Sequence, residues 1–213
     1  MLEAVIFDLD GVICHTDLYH YQAWKTIADR LDISFDERIN ARLRGISRMD
    51  SLNIILKQTD RSFTQHEKEL LAEEKNQVYQ SFLRQMTPAD LSAGTLNALN
   101  TLRDMGLKLA VASSSRNTAL ILEQLGLDTF FDAVADGNQI SRSKPDPEVF
   151  LLAASLLGIQ PSNALVVEDA AAGICAAKAG GFWVAGLGDA ANESGVDFGI
   201  ATLKELITIC SSR

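Results

Sequence analysis

Ala4-Val5-Ile6-Phe7-Asp8-Leu9-Asp10-Gly11-Val12-Ile13 is the stretch on which the fold turns. Val5, Ile6 and Phe7 are β-formers without polar alternation, so the strand they predict is covered on both faces, as the central strands of parallel sheets are. The run stops at two carboxylates spaced two apart. Side chains at that spacing in an extended chain point the same way, and Gly11 lets the backbone turn sharply after Asp10. Ligands of parallel sheets bind just beyond the carboxyl ends of the strands. Two carboxylates at one strand tip repel each other unless a cation lies between them, which points to a divalent metal, Mg²⁺ in the first place. Asp-Gly between apolar residues is also the strongest short hairpin signal. The motif alone leaves both readings open, and the rest of the chain decides between them.

The 213 residues suffice for one large domain, or a domain with an insertion, with a sizeable core. The apolar fraction, 47%, is that of an ordinary globular protein. Acidic residues outnumber basic ones 28 to 19, for a net charge of −9, which argues against nucleic acid or an anionic membrane surface as partner. An anionic ligand must therefore be met by a local cluster of cations. No apolar run reaches the length of a membrane span, and the N-terminus lacks the basic and apolar regions of a signal peptide. Cys14, Cys175 and Cys210 are scattered without C-x-x-C spacing, which suits a reducing cytoplasm and argues against a disulfide framework or a zinc site. Cys14 reads as a packing thiol.

Beyond Ile13 the pattern turns helical. Tyr21, Trp24, Ile27, Ala28 and Leu31 fall at helical spacing, with Thr16 or Asp17 placed to cap the start. Ser47-Arg48-Met49-Asp50 resembles a capping box opening a second helix through Leu52, Ile55 and Leu56. A third pattern runs through Leu71, Lys75, Val78 and Phe82, and the segment ends near Thr87-Pro88, where proline disfavours helix in the preceding residue. No strand is predicted between Thr16 and Met86. From Pro88 onward strands and helices alternate: strands at 108–112, 133–135, 164–167 and 183–187, a weaker one near 198–200, and helices between them. Asp146-Pro147 opens one of these helices with cap and N1 proline in the preferred order. The predicted architecture is α/β, a Rossmann-like three-layer core with a parallel sheet, interrupted by an all-helical insertion. The core takes residues 1–15 and 87–213, the insertion 16–86.

Polar chemistry recurs where strands end: Asp8 and Asp10 after the first, Ser113-Ser114-Ser115 after the second, Glu168-Asp169 after the fourth. All lie on one edge of a parallel sheet. Four carboxylates there make a hard, oxygen-rich site suited to Mg²⁺ plus a substrate phosphate. Serine hydroxyls and the N–H groups of the helix opening at Asn117 would meet an anion, and Lys144 adds a point charge. Taken singly, each piece has a plainer reading as a loop, a helix cap or a solvated side chain. Together they describe phosphoryl transfer, where catalysis is mostly positioning and charge neutralisation. The chain has no P-loop, no G-x-S-x-G elbow and no dinucleotide fingerprint.

Asp8-Leu9-Asp10-Gly11-Val12, Ser113, Lys144-Pro145 and Glu168-Asp169 resemble the four motifs of the haloacid dehalogenase superfamily of phosphotransferases, over essentially the full length. The resemblance implies that Asp8 is the nucleophile and a metal ligand, and that Asp10 is the acid/base, supplying a backbone carbonyl to the metal. It also implies that Ser113 and Lys144 assist, and that Glu168 and Asp169 help hold Mg²⁺. Within the family the chain is most similar to the phosphoglycosyl mutases. That similarity makes the insertion a substrate-specificity cap and assigns substrate binding to Thr16, His20, Trp24, Arg44, Gly45, Ile46, Ser47, Arg48, Ser51, Lys75, Ser114, Ser115 and Asn117. Arg48, on the first turn of a capped helix, is the candidate for a remote phosphate. His15 and Arg44 depart from the residues usual there, Asp and Lys.

The implied reaction interconverts β-D-glucose 1-phosphate and glucose 6-phosphate by way of an aspartyl phosphate. A sugar-phosphate phosphatase is the alternative. A non-catalytic binding protein fits less well, because binding alone does not require Asp8, Asp10 and Lys144 in register. The expectation is completed by a small sugar phosphate as the only partner, a monomeric state and a cytoplasmic location.

Overall fold

The computed structural model describes residues 2–43 and 46–212. Six parallel strands, β1 (Ala4–Phe7), β2 (Lys108–Ala112), β3 (Ala133–Ala135), β4 (Ala164–Glu168), β5 (Trp183–Leu187) and β6 (Phe198–Ile200), form one sheet in the order β3-β2-β1-β4-β5-β6. The order reverses between β1 and β4, which is where ligands of such sheets bind. All four β1 residues are fully buried, since the strand has a neighbour on each side and helices on each face. The period of two divides its side chains. Val5 and Phe7 join Leu109, Val111, Leu165 and Val167 under α5 (Ala93–Asp104), α6 (Thr118–Gln124) and α9 (Glu205–Ser211). Ala4 and Ile6 join Ala110, Ala112, Val166 and Val184 under α7 (Glu148–Leu157) and α8 (Ala171–Ala179).

Between β1 and β2 the chain leaves the sheet for α1 (Asp17–Arg30), α2 (Glu37–Ala41), α3 (Arg48–Leu56) and α4 (Gln65–Leu83). These helices bury a cluster of their own, including Trp24, Ile27, Ala28, Leu52, Ile55, Leu71 and Ala72. The lower end of α4, Tyr79 and Leu83, with Ala23 of α1, joins the core cluster on the sheet instead. No helix among the described residues is long and apolar enough to cross a membrane.

Local signals account for most of these boundaries. Ser47 caps α3 by accepting the Asp50 N–H at 3.1 Å. α4 opens with a reciprocal Thr64/Glu67 capping box, a T-x-x-E signal that the apolar pattern around Leu71 did not reveal. α2, capped by Asp36, has five residues, too few to show a helical period. Asp146 Oδ1 accepts the Glu148 N–H at 3.0 Å, and α7 begins at Glu148, one residue past the proline expected at N1. Thr16 occupies the N-cap position of α1 without capping it, because its hydroxyl is directed to Asp10.

Candidate active site

The Asp10-Gly11 turn is not a hairpin. After β1 the backbone folds back on itself over residues 9–14, with Gly11 N–H donating to Cys14 C=O at 2.7 Å, and then enters α1. Gly11 has φ +93°, and a Cβ there would lie 2.1 Å from Asp169 Oδ2. Only glycine lets the first strand tip meet the fourth. Cys14 is buried in this turn, where its Sγ faces Leu9 C=O and burial raises its pKa, and His15 points into solvent.

Lys144 crosses from the loop before α7 to bind both tips. Its Nζ donates to Asp8 Oδ1, to Glu168 Oε1 at 2.5 Å and to Ala112 C=O at 3.2 Å, and lies 4.6 Å from the centre of the Phe150 ring. Burial opposes its charge, but the carboxylates of Asp8 and Glu168 outweigh burial and raise its pKa. Glu168 Oε2 accepts the N–H groups of Asp169 and Ala170 at 3.0 and 3.2 Å. Carboxylate oxygens of Asp8, Glu168 and Asp169 all lie within 4.8 Å of one another. This all-oxygen set fits a hard divalent cation. Glu168 is tied at both oxygens, so Asp8 and Asp169 are better placed to hold the ion directly.

Asp10 stands apart from that trio. Its side chain accepts from the Thr16 hydroxyl, which in turn accepts from the Tyr79 hydroxyl at 3.1 Å. Burial, then Asp10 itself, raises the Tyr79 pKa, so the phenol keeps its proton. Burial, then the Asp8 charge, pushes the Asp10 carboxyl up to about 7. A carboxyl poised there can both give and take a proton at neutral pH.

These groups open on a cavity of about 710 Å³ between the sheet edge and the helical insertion. Its wall brings together Asp8, Asp10, Ser113, Ser114, Ser115, Asn117, Lys144, Glu168 and Asp169 from the core with His20, Trp24, Ile46, Ser47, Arg48, Ser51 and Lys75 from the insertion. Thr16 is fully buried behind Asp10 and outside this wall. Arg44 and Gly45 lie outside the described residues. Lys75 Nζ is 2.9 Å from His20 Nδ1 and sits over the Trp24 and Tyr79 rings. Burial, then the charges of Lys75 and Arg48, lowers the His20 pKa, so the imidazole is neutral.

Arg116 and Tyr79 also line the cavity; Arg116 belongs to the stretch Ser113-Ser114-Ser115-Arg116-Asn117 that resembles the mutases, whereas no motif pointed to Tyr79. Tyr79 stands one helical turn after Lys75, a position that a search for hydrogen-bond donors beside each motif would have reached. Arg116 is close enough to Arg48 for its charge to depress the Arg48 pKa, second to burial among the lowering influences.

The sequence profile of the haloacid dehalogenase-like hydrolases matches residues 2–181. The chain belongs to the haloacid dehalogenase-like family. This family member is 41% identical over 207 residues to a β-phosphoglucomutase of Bacillus subtilis, covering 96% of this chain and 92% of that one. Its fold superimposes on the crystal structure of a β-phosphoglucomutase from Clostridium difficile with a TM-score of 0.92, at 35% identity and full coverage of both chains. A phosphorylated carbohydrates phosphatase of Thermotoga maritima is 31% identical over 183 residues, covering 84% of this chain and 82% of that one.

Proposed function

We propose that this haloacid dehalogenase-like enzyme interconverts β-D-glucose 1-phosphate and glucose 6-phosphate through an aspartyl phosphate on Asp8 and β-glucose 1,6-bisphosphate. The observation that carries the reading is that one cavity is lined both by the Asp8 carboxylate and by two guanidinium groups, Arg48 of the insertion and Arg116 of the core, near enough to each other to interact electrostatically. A mutase needs a phosphate site at each end of its substrate, and one reactive carboxylate with a lone cation does not supply two.

In the first half-reaction the Asp8 carboxylate attacks phosphorus, the bond from phosphorus to the donor oxygen breaks, and protonated Asp10 gives its proton to that oxygen. In the second, the sugar hydroxyl passes its proton to Asp10 as it attacks, and the bond to Asp8 breaks. Thr16, held by Tyr79, keeps the Asp10 carboxyl aimed. Lys144 offsets charge on Asp8. When bound, Mg²⁺ neutralises charge on the transferring group, and Asp8, Asp169, the Asp10 carbonyl and Glu168 behind them are the groups that would hold it.

Residues 16–86 act as the cap that sets specificity and excludes water, while residues 1–15 and 87–213 carry the chemistry. His20, Trp24, Ile46, Ser47, Ser51 and Lys75 face the sugar. Arg48, Ser115, Arg116 and Asn117 hold the remote phosphate, and Ser113 and Ser114 stand beside the reacting one. The enzyme works as a monomer in the cytoplasm.

A phosphatase would use the same core and let water attack the aspartyl phosphate, and the likeness to the Thermotoga phosphatase keeps that reading in view. One assay separates them. Given Mg²⁺ and a trace of glucose 1,6-bisphosphate, β-glucose 1-phosphate is expected to become glucose 6-phosphate with little free phosphate. Stoichiometric release of inorganic phosphate without glucose 6-phosphate selects the phosphatase.

A further inference from the structure

The Asn76 side chain lies behind the cavity wall, yet it joins the two sides of it. Its Oδ1 accepts from Arg48 Nη2 at 2.8 Å, on α3 of the insertion, and from Asn117 Nδ2 at 3.0 Å, at the start of α6 in the core. A carbonyl oxygen offers two lone pairs, and both are used. Asn117 is held at its other end as well, where its Oδ1 accepts from Gln80 Nε2 at 2.8 Å, one turn further along α4. Asn76 is 9% and Asn117 6% exposed, so water competes little for these bonds. Arg48 also faces Glu73, whose carboxylate is 3.7 Å away and more than half exposed.

We propose that Asn76 is the positioning residue of the remote phosphate site, one neutral carbonyl that sets the spacing between Arg48 on the cap and Asn117 on the core. This rests on the mutase reading, which supplies the remote phosphate. Neutrality is the point of the choice. An amide carbonyl orients a guanidinium without cancelling its charge, so Arg48 still meets an incoming dianion as a full cation. A carboxylate in the same place would hold the same N–H groups more strongly and neutralise them beforehand.

The inference makes Asn76→Asp, which is nearly isosteric, more damaging than its size suggests. Asn76→Leu removes the acceptor and adds no charge. Both variants and the parent are compared with β-glucose 1-phosphate plus glucose 1,6-bisphosphate, and with acetyl phosphate, which carries no second phosphate for a remote site. For Asn76→Asp, the KM for the hexose bisphosphate is expected to rise about tenfold or more relative to any change with acetyl phosphate, and Asn76→Leu to show a smaller rise of the same kind. In an Arg48→Ala background the further substitution Asn76→Asp should add little, because the two side chains act as a unit.

Equal losses with both substrates, accompanied by a lower Tm, would mean that Asn76 only supports the fold and would overturn the proposal. So would an unchanged hexose bisphosphate KM in both variants. The parent's own products report separately on the mutase reading. If the parent released only phosphate, the same KM ratios measured on phosphate release would still decide the role of Asn76.

Discussion

Lys144 and Glu168 form a fully enclosed ion pair, Nζ to Oε1 at 2.5 Å with each side chain 1% exposed, and Lys144 simultaneously binds Asp8 on the neighbouring strand. One ammonium thus compensates two buried carboxylates. Breaking a buried pair by removing one partner typically costs about 3–5 kcal/mol, because the remaining charge has no compensation. Lys144→Met is therefore expected to lower Tm well beyond an ordinary surface substitution when measured in chelator. Added Mg²⁺ should recover part of that loss, since an ion held by the same carboxylates stabilises the folded state by mass action. Equal melting of variant and parent in chelator would show that the pair carries no such load.

Asp10 gives a prediction in which activity and stability move in opposite directions. As acid/base, it is expected to contribute ~10²–10⁴-fold to turnover, so Asp10→Asn should be slowed by that factor, whereas Asp8→Asn should neither turn over nor form a phosphoenzyme detectable by mass. The Asp10 carboxyl titrates at about 7 in the fold against an ordinary 3.8. Between those values the folded state binds the proton more tightly than the unfolded chain, so stability falls as pH rises through that window, and the full cost is present above pH 7. Asn carries no such charge. In metal-free protein Asp10→Asn should therefore melt above the parent at pH 8 and lose that advantage at pH 4. A Tm difference independent of pH would refute the assignment of the shift to Asp10.

Gly173 stands in the first turn of α8, and a Cβ there would lie 1.8 Å from Glu168 Oε1. Gly173→Ala must push the carboxylate off Lys144 or off the N–H groups of Asp169 and Ala170. Partners of this kind, behind a metal site, are typically worth about 10–100-fold in metal affinity or activity. The Mg²⁺ concentration for half-maximal activity is expected to rise by that factor while the far-ultraviolet spectrum stays that of the parent. An unaltered Mg²⁺ dependence would remove Glu168 from the metal's support.

The order of elements was legible because its signals are local. Unbroken apolar runs at residues 4–7, 109–112 and 164–167 announced buried strands, the 3.6-residue period announced α1, α3 and α4, and each run of polar chemistry began where a strand stopped. α2 escaped for want of length, and Thr16, read as a helix cap, was claimed by a stronger acceptor that periodicity cannot register.

What the sequence by itself determined was the set of reactive side chains: Asp8 and Asp10 two apart on one strand tip, the serines, Lys144, and the Glu168-Asp169 pair. What only the tertiary structure decided was which of them touch. Placing β4 beside β1, with β2 and β3 on the other side, brings Glu168 and Asp169 to Asp8 and lets Lys144 bind across 136 positions of chain. The fold of α4 onto the core likewise joins Asn76 to both Arg48 and Asn117. Periodicity reports only which face of its own element a residue occupies. Partnership between elements is set by strand order and helix packing, which minimise exposed apolar surface over the whole chain at once.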